Sequence, residues 1–294
     1  EYTGATSTFL GMAYYTGITG SQLLGAVVST GIFAGIGIIY GHELAHTKGF
    51  SFVIARWMMA LSGSSHFCYA HVYNHHLELG CENDPATAPR GRSLYAHLPK
   101  SHFGQSKFLY TMEKQRLKRL GVPFLSWQNR WIRGYAMALP TIALFWYVGA
   151  WTGIACMALI WLVSNFELEA LNYLEHYGLI RETGSPIDYR HSWDNSTLFT
   201  SWFFIEIGRQ ADHHDRGETH FWELDEVGAP NCGNGYFTLM LKWLGHTVKT
   251  CDINPEYNPD YFGDIREVEI DEKFDVVASF EALQHIPYND FEEV

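Results

Sequence analysis

The sequence predicts a mainly α-helical protein: an integral-membrane helical bundle with a cytoplasmic histidine-rich cap, followed by a short α/β tail. Three observations predict it. Hydrophobic residues make up 47% of the 294 and aromatics 16%, with 10 Trp, yet mean hydropathy falls just below zero. Apolar helices must therefore share the chain with a large polar portion. Eight of the 15 histidines stand in four tight clusters beside the apolar runs. After residue 226 the long apolar runs give way to short alternating ones bounded by glycine, the punctuation of a soluble α/β segment.

Taken in order, Phe9 to Ile18 is apolar but short for a membrane crossing. Leu23 to Tyr40 is uncharged, Gly-rich and about 27 Å long as a helix. Phe52 to Leu61 suits an interfacial or re-entrant piece. Between Asn83 and Arg130 lie Lys100, Lys107, Lys114, Arg116, Lys118 and Arg119, with Met112 to Leu120 reading as a basic amphipathic helix on the membrane surface. Positive charge flanking the spans marks the cytoplasmic side. Trp131 to Phe166 would reach about 54 Å as one helix, so two helices turning within Gly149–Gly153 are expected. That hairpin brings every histidine cluster to one side of the bilayer.

The net charge of −12 is uneven: from residue 252 to the end there are thirteen acidic residues against two basic ones. Without a long basic run, nucleic-acid binding is excluded. Cys68, Cys81, Cys156, Cys232 and Cys251 are scattered without a CxxC pair, which excludes a disulfide framework and a zinc ribbon.

The chemistry is carried by histidine. His42 and His46, spaced i, i+4, share one helix face. His71, His75 and His76 form an H-x3-HH set, two on one face and the third a step round. His176 follows the second apolar run, and His213 and His214 are adjacent. Imidazole is a ligand for Fe, Zn, Cu and Ni. A tetrahedral zinc takes four ligands, so eight imidazoles suit two ions, and two redox metals beside lipid-facing helices point to oxygen activation. His66, His97, His102, His191, His220, His246 and His285 read as ordinary core or surface residues. Glu43, Glu175 and Asp212 are candidate partners for imidazole N–H groups, or else solvated carboxylates. His42-Glu43-Leu44-Ala45-His46 also fits the HExxH zinc-protease pattern, with Asp260 as a conceivable third ligand, but that leaves six clustered histidines unused.

His42 to Gly49, His66 to His76, Glu82 to Gly91, Asn172 to Gly178 and Asp212 to His214, in that order, resemble the bacterial membrane-bound alkane hydroxylase and xylene monooxygenase family over roughly residues 20 to 226. The resemblance implies a non-haem di-iron, histidine-box monooxygenase with His42, His46, His71, His75, His76, His176, His213 and His214 as metal ligands. It also implies O₂ as cosubstrate and a rubredoxin- or ferredoxin-type electron donor with its reductase. The substrate would be apolar, an alkane or alkyl-aromatic hydroxylated at a terminal or benzylic C–H. The location would be the bacterial inner membrane, multi-pass, with the site facing the cytoplasm. No catalytic side chain beyond the ligands is assigned. Gln210 stands where the family's last H-x-x-HH box has its first histidine, and the family has more helices before the first box than this N-terminus holds, which predicts an N-terminally truncated domain over 1–226.

Residues 227–294 resemble a class I S-adenosylmethionine-dependent methyltransferase, an incomplete Rossmann-like unit. Gly233 and Gly235 would cradle the methionine part, Asp252 would meet the ribose hydroxyls and Asp264 would lie near the adenine. Half a doubly wound sheet leaves an open edge, so no methylation is expected. A methyltransferase fragment, an inactive chimeric reading frame and, remotely, a membrane zinc metalloprotease are the alternatives.

Overall fold

The computed structural model describes residues 20–252, 259–264 and 267–276. An uncharged run without proline has nothing to interrupt it, and α1 (Ser21–Ala45) is one 25-residue rod, about 37 Å long. The short α2 (Phe50–Leu61) turns Phe50, Val53, Ile54 and Trp57 outward and buries Ala55, Met59 and Ala60. α3 (Phe67–Ala70), a π-helical turn His71–His75 and α4 (His76–Glu78) then run on as one element.

α5 (Leu94–Arg119) begins where the Ser93 hydroxyl accepts the Ala96 N–H, at 3.3 Å. Its buried residues, His97, Ser101, Gln105, Leu109, Glu113 and Leu117, recur every fourth position and form one inward stripe. The basic Met112–Leu120 stretch is the end of this long helix rather than a separate one. α6 (Arg130–Met137) is capped by Asn129, whose side-chain oxygen accepts the N–H of Trp131 and Ile132, at 2.9 and 3.3 Å.

α7 (Leu139–His176) contains a break at Ala150, where φ is 46° and ψ −130°. A Cβ on Gly153 would collide with the Phe145 carbonyl, so the chain doubles back here, within the stretch where the sequence placed a turn. The returning arm packs along α1. Ile38, Ala45, Met59, Phe67, Cys68 and Leu168 make one core cluster, and Val27, Ala34, Phe145, Met157 and Ile160 another. The Ser62 carbonyl at the end of α2 accepts from Asn165 (2.8 Å) and Ser164 (3.2 Å), which fixes α2 to α7. By length and composition α1 and the Arg130–His176 stretch are long and apolar enough to cross a membrane.

α8 (Leu198–Phe203), α9 (Gln210–Asp215) and α10 (Tyr236–Trp243) complete the helical part. The expected 226/227 boundary falls beside a stretch bonded to the body: Asp194 donates its N–H to the Pro230 carbonyl (2.7 Å) and accepts that of Cys232 (2.9 Å). Tyr236 is fully buried among Ile39, Leu171, Leu174 and Phe204, and Trp243 meets the Tyr173 ring edge-on at 4.6 Å. Among the described residues the tail contributes one parallel pair, β1 (Cys251–Asp252) with β2 (Tyr261–Phe262). Of the expected strand Thr247–Ile253, the described residues 247–252 form only β1, and Ile253 lies outside them. The other, Phe274–Phe280, has no strand at 274–276 and otherwise lies outside the described residues, as do His285 and Phe9–Ile18.

Candidate metal centre

Four separate elements deliver the eight clustered imidazoles to one place. His42 lies in the last turn of α1, with His46 as its C-cap. His176 ends α7, and His213 and His214 sit on α9. The H-x3-HH set depends on the π-helical turn. An i→i+5 turn takes more residues per revolution than an α-turn, so His75 and His76 fall on either side of His71. An unbroken α-helix would have carried His76 away from the other two.

The rings form two sets. The ligand nitrogens of His42, His46, His71 and His213 lie within 4.8 Å of one another, and so do those of His75, His176 and His214. His76 bridges them: its Nε2 is 3.0 Å from His71 Nε2 and 3.2 Å from His213 Nε2, and its ring centroid is 4.5 Å from that of His214. Six of the eight are buried, and His46 and His76 are partly covered.

This packing makes little sense for imidazoles alone. His71 Nε2 faces the Nε2 atoms of His42, His46 and His76 at 2.8, 3.1 and 3.0 Å. A neutral ring has one N–H and one lone pair, so His71 can serve at most one of those three contacts from that atom. In the other set, both nitrogens of His176 and of His214 are buried without any hydrogen-bond partner. Protonation does not resolve the conflict, because burial, and then the neighbouring imidazoles, push His71, His76, His213 and His214 well below the usual histidine range. His46 is pushed down to about 4. Neutral nitrogens converging on a common point are the donor set a cation needs, so the residues fit two histidine-bound metal ions.

Sequence reasoning missed the carboxylate that orients this set. Asp84, buried, has its Oδ2 2.8 Å from His75 Nδ1. Its oxygens also accept from the Thr87 hydroxyl (2.6 Å) and the Ala86 N–H (3.1 Å). Burial raises the Asp84 carboxyl, but the His75 and Thr87 contacts outweigh it and hold it below the usual range. An ionised Asp84 fixes the proton on His75 Nδ1 and turns Nε2 toward the ion site. The signal lay in the Asp84-Pro85-Ala86-Thr87 turn, but a contact across nine positions is invisible to periodicity.

The carboxylates singled out in the sequence have other partners. Glu43 accepts the Phe221 N–H (3.3 Å) and faces His220 (3.5 Å). Asp212 is held by Arg216 and the Asp225 N–H. Glu175 reaches only to 4.0 Å from His176 Nε2. Gln210 is buried and donates its amide to the Ile207 carbonyl (2.6 Å). The protease reading fails on geometry: Asp260 bonds to Thr250 and Lys249 in the tail, and the groups beside His42 and His46 are imidazoles. Gly235 is used for close approach to Thr197 and Thr200, where a Cβ would stand 3.0 and 3.3 Å from their hydroxyls, rather than for an open nucleotide loop.

A narrow crevice between α1 and α7 ends at this centre. Gly35, Ile38, Ile39, Phe67, Leu168 and Leu171 give it an apolar part, and Asn172, Glu175 and Gln210 line it together with His42, His71 and His75.

Long apolar helices that gather eight imidazoles at one end define a protein built to bind metal through histidine. The sequence profile of the fatty acid desaturase family matches residues 21–241; the chain belongs to that family. Within it, the chain is 31% identical to the alkane 1-monooxygenase of Acinetobacter baylyi over 224 residues, which is 73% of this chain and 54% of that protein. It is 28% identical to alkane 1-monooxygenase 1 of Pseudomonas aeruginosa, covering 82% of this chain and 65% of the relative. The xylene/toluene monooxygenase hydroxylase component XylM of Pseudomonas putida is 28% identical over 75% of this chain and 60% of its own length. The chain thus spans between about half and two thirds of these relatives.

Proposed function

We propose that this chain holds the di-iron centre of a membrane-bound monooxygenase that hydroxylates a terminal or benzylic C–H of an alkane or alkyl-aromatic. The observation that carries this reading is the convergence of His42, His46, His71, His76 and His213 on one side and His75, His176 and His214 on the other. The net reaction is RH + O₂ + 2e⁻ + 2H⁺ → ROH + H₂O. The two electrons come from outside the chain, from a rubredoxin- or ferredoxin-type carrier and its reductase. When bound, the irons supply the O₂ chemistry and the redox steps that insertion into a C–H bond requires.

The chain's own residues do the rest. His75, oriented by Asp84, and the unpartnered His176 and His214 hold one ion, and the other four or five imidazoles hold the second. Ile38, Ile39, Phe67, Leu168 and Leu171 guide an apolar chain along the crevice and keep water from it. Gly35 lets the Glu167 carboxylate lie against α1, where any side chain at position 35 would collide with it.

The basic residues of α5 and α6 support a reading in which the centre lies at the cytoplasmic face of a bacterial inner membrane, with α1 and the α6–α7 hairpin as spans. The segment from residue 227, whose α10 packs on the body, is read as methyltransferase-like without methyltransferase activity.

Metal analysis of the detergent-solubilised protein tests the reading. Near two Fe per chain is expected, and one zinc without iron would overturn it. Products from cells supplied with octane or xylene, a suitable electron donor and O₂ should be alcohols carrying ¹⁸O from ¹⁸O₂. Alkenes without label would replace hydroxylation by desaturation.

A further inference from the structure

Outside the imidazole cluster, two arginines flank one phenol. The Arg56 guanidinium lies 5.5 Å from the Tyr69 ring centroid and that of Arg130 5.2 Å. Arg133 stands three positions along α6 from Arg130, on the same side of that helix. The acid in their midst is Glu113. It takes two 2.7 Å hydrogen bonds from Arg116 and lies 4.0 Å from Arg130. Arg56 and Arg133 have no acidic partner among the described residues. Nε and Nη2 of Arg56 and Nε of Arg133 are buried without any hydrogen-bond acceptor.

A buried donor without an acceptor is costly, and clustered cations without a counter-charge more so. An oxyanion would answer both needs, and the planar guanidinium fork suits phosphate. The surroundings say what carries that phosphate. Arg56 belongs to α2, whose other face turns Phe50, Val53, Ile54 and Trp57 outward. Arg133 belongs to α6, where Trp131 and Tyr135 pack edge to face at 4.9 Å. Trp and Tyr beside a basic cluster and an outward apolar helix face mark the headgroup level of a bilayer.

We propose that Arg56, Arg130 and Arg133 bind the phosphate of an anionic phospholipid, whose acyl chains lie along the outward face of α2. The site rests on the membrane placement proposed above. Nothing in it touches the metal ligands, so it anchors the α2–α6 corner independently of the metals.

The test uses the full chain, delipidated in detergent and placed in nanodiscs of phosphatidylcholine alone or with phosphatidylglycerol. Phosphatidylglycerol is expected to raise the wild-type Tm by about 4 °C, and native mass spectrometry should find it retained on the chain. In Arg56→Gln/Arg133→Gln the gain should vanish and retention fall about tenfold. In phosphatidylcholine alone this variant should melt no lower than wild type, because it has lost like charges and no contact to an anion. Should the double variant fail to fold, Arg133→Gln is read by the same retention.

Equal phosphatidylglycerol gains in wild type and variant would overturn the proposal. So would inorganic phosphate producing the whole gain in phosphatidylcholine discs, which would make the site one for a free anion. A wild-type chain washed from membranes by carbonate would sink the membrane placement itself. A membrane-retained wild type with no phosphatidylglycerol gain would sink this site alone.

Discussion

Both oxygens of Asp84 are committed, one to His75 and Thr87 and the other to the Ala86 backbone. Such outer partners commonly change metal affinity by about 10–100-fold. Asp84→Ala should therefore lower iron from near two per chain toward one after mild chelation, with the Mössbauer signal of one site lost. Asp84→Asn, which keeps an acceptor oxygen, should retain more. The other buried carboxylate of note, Glu113, has no exposed side-chain surface. Burial raises it, but hydrogen bonds from Arg116 and the Arg130 N–H outweigh that and leave it below the usual glutamate range. A depressed folded-state value gives stability that is present above the unfolded pKa and is lost as pH falls through the folded one. Glu113→Gln should thus cost about 2 kcal/mol near neutrality, a deficit that shrinks below about pH 4; thermal melts of both chains across pH 3–7 check it. The histidines were legible in the sequence because their clustering needs no knowledge of packing. Asp84 and the arginines round Tyr69 were not, because each meets its neighbours only after distant helices pack.

Element geometry decided the second histidine cluster. With α-helical spacing, H-x3-HH sends its third ring about 140° from the first and about 100° from the second, which is how the sequence alone presents it. The π-turn removes that conflict by holding an additional residue, and π-turns concentrate at functional sites for this reason. An H-x-x-HH box needs no such device, since i+3 and i+4 already flank i. Inserting one Ala between Val72 and Tyr73 should then swing His71 off the shared face and drop iron to one per chain or fewer, measured on purified protein. The α7 turn was legible for the opposite reason: a run too long for one crossing has to fold back, and the Gly149–Gly153 stretch offers the place. Ala150 itself, with its positive φ, could not have been singled out over the glycines beside it.

At the scale of the whole molecule, the mainly helical character was readable from the apolar runs, whereas the end of the body was not. Composition changes after residue 226, but Tyr236 fills a pocket made by Ile39, Leu171, Leu174 and Phe204, and the family match continues to residue 241. Change of composition marks where surface chemistry changes, and burial of one large side chain can lie beyond it. A chain ended after Glu226 should lose that aromatic, a loss of about 3–5 kcal/mol, and bind little iron. One ended after His246 should keep its iron and its melting temperature. Iron content and thermal melts of the two truncations decide this.

The doubled-back helix also acts as a ruler. Trp146 and Trp151 pack at its tip, 4.8 Å apart, with Tyr147 and Trp151 facing outward, the residues that settle at a bilayer's far boundary. From that tip to His176 the 151–176 arm measures about 39 Å, against about 30 Å of hydrocarbon. With that arm spanning the bilayer as proposed, the difference would set the imidazole cluster several ångströms beyond the hydrocarbon. In the proposed membrane placement, an apolar substrate would therefore have to leave the hydrocarbon to reach the metals.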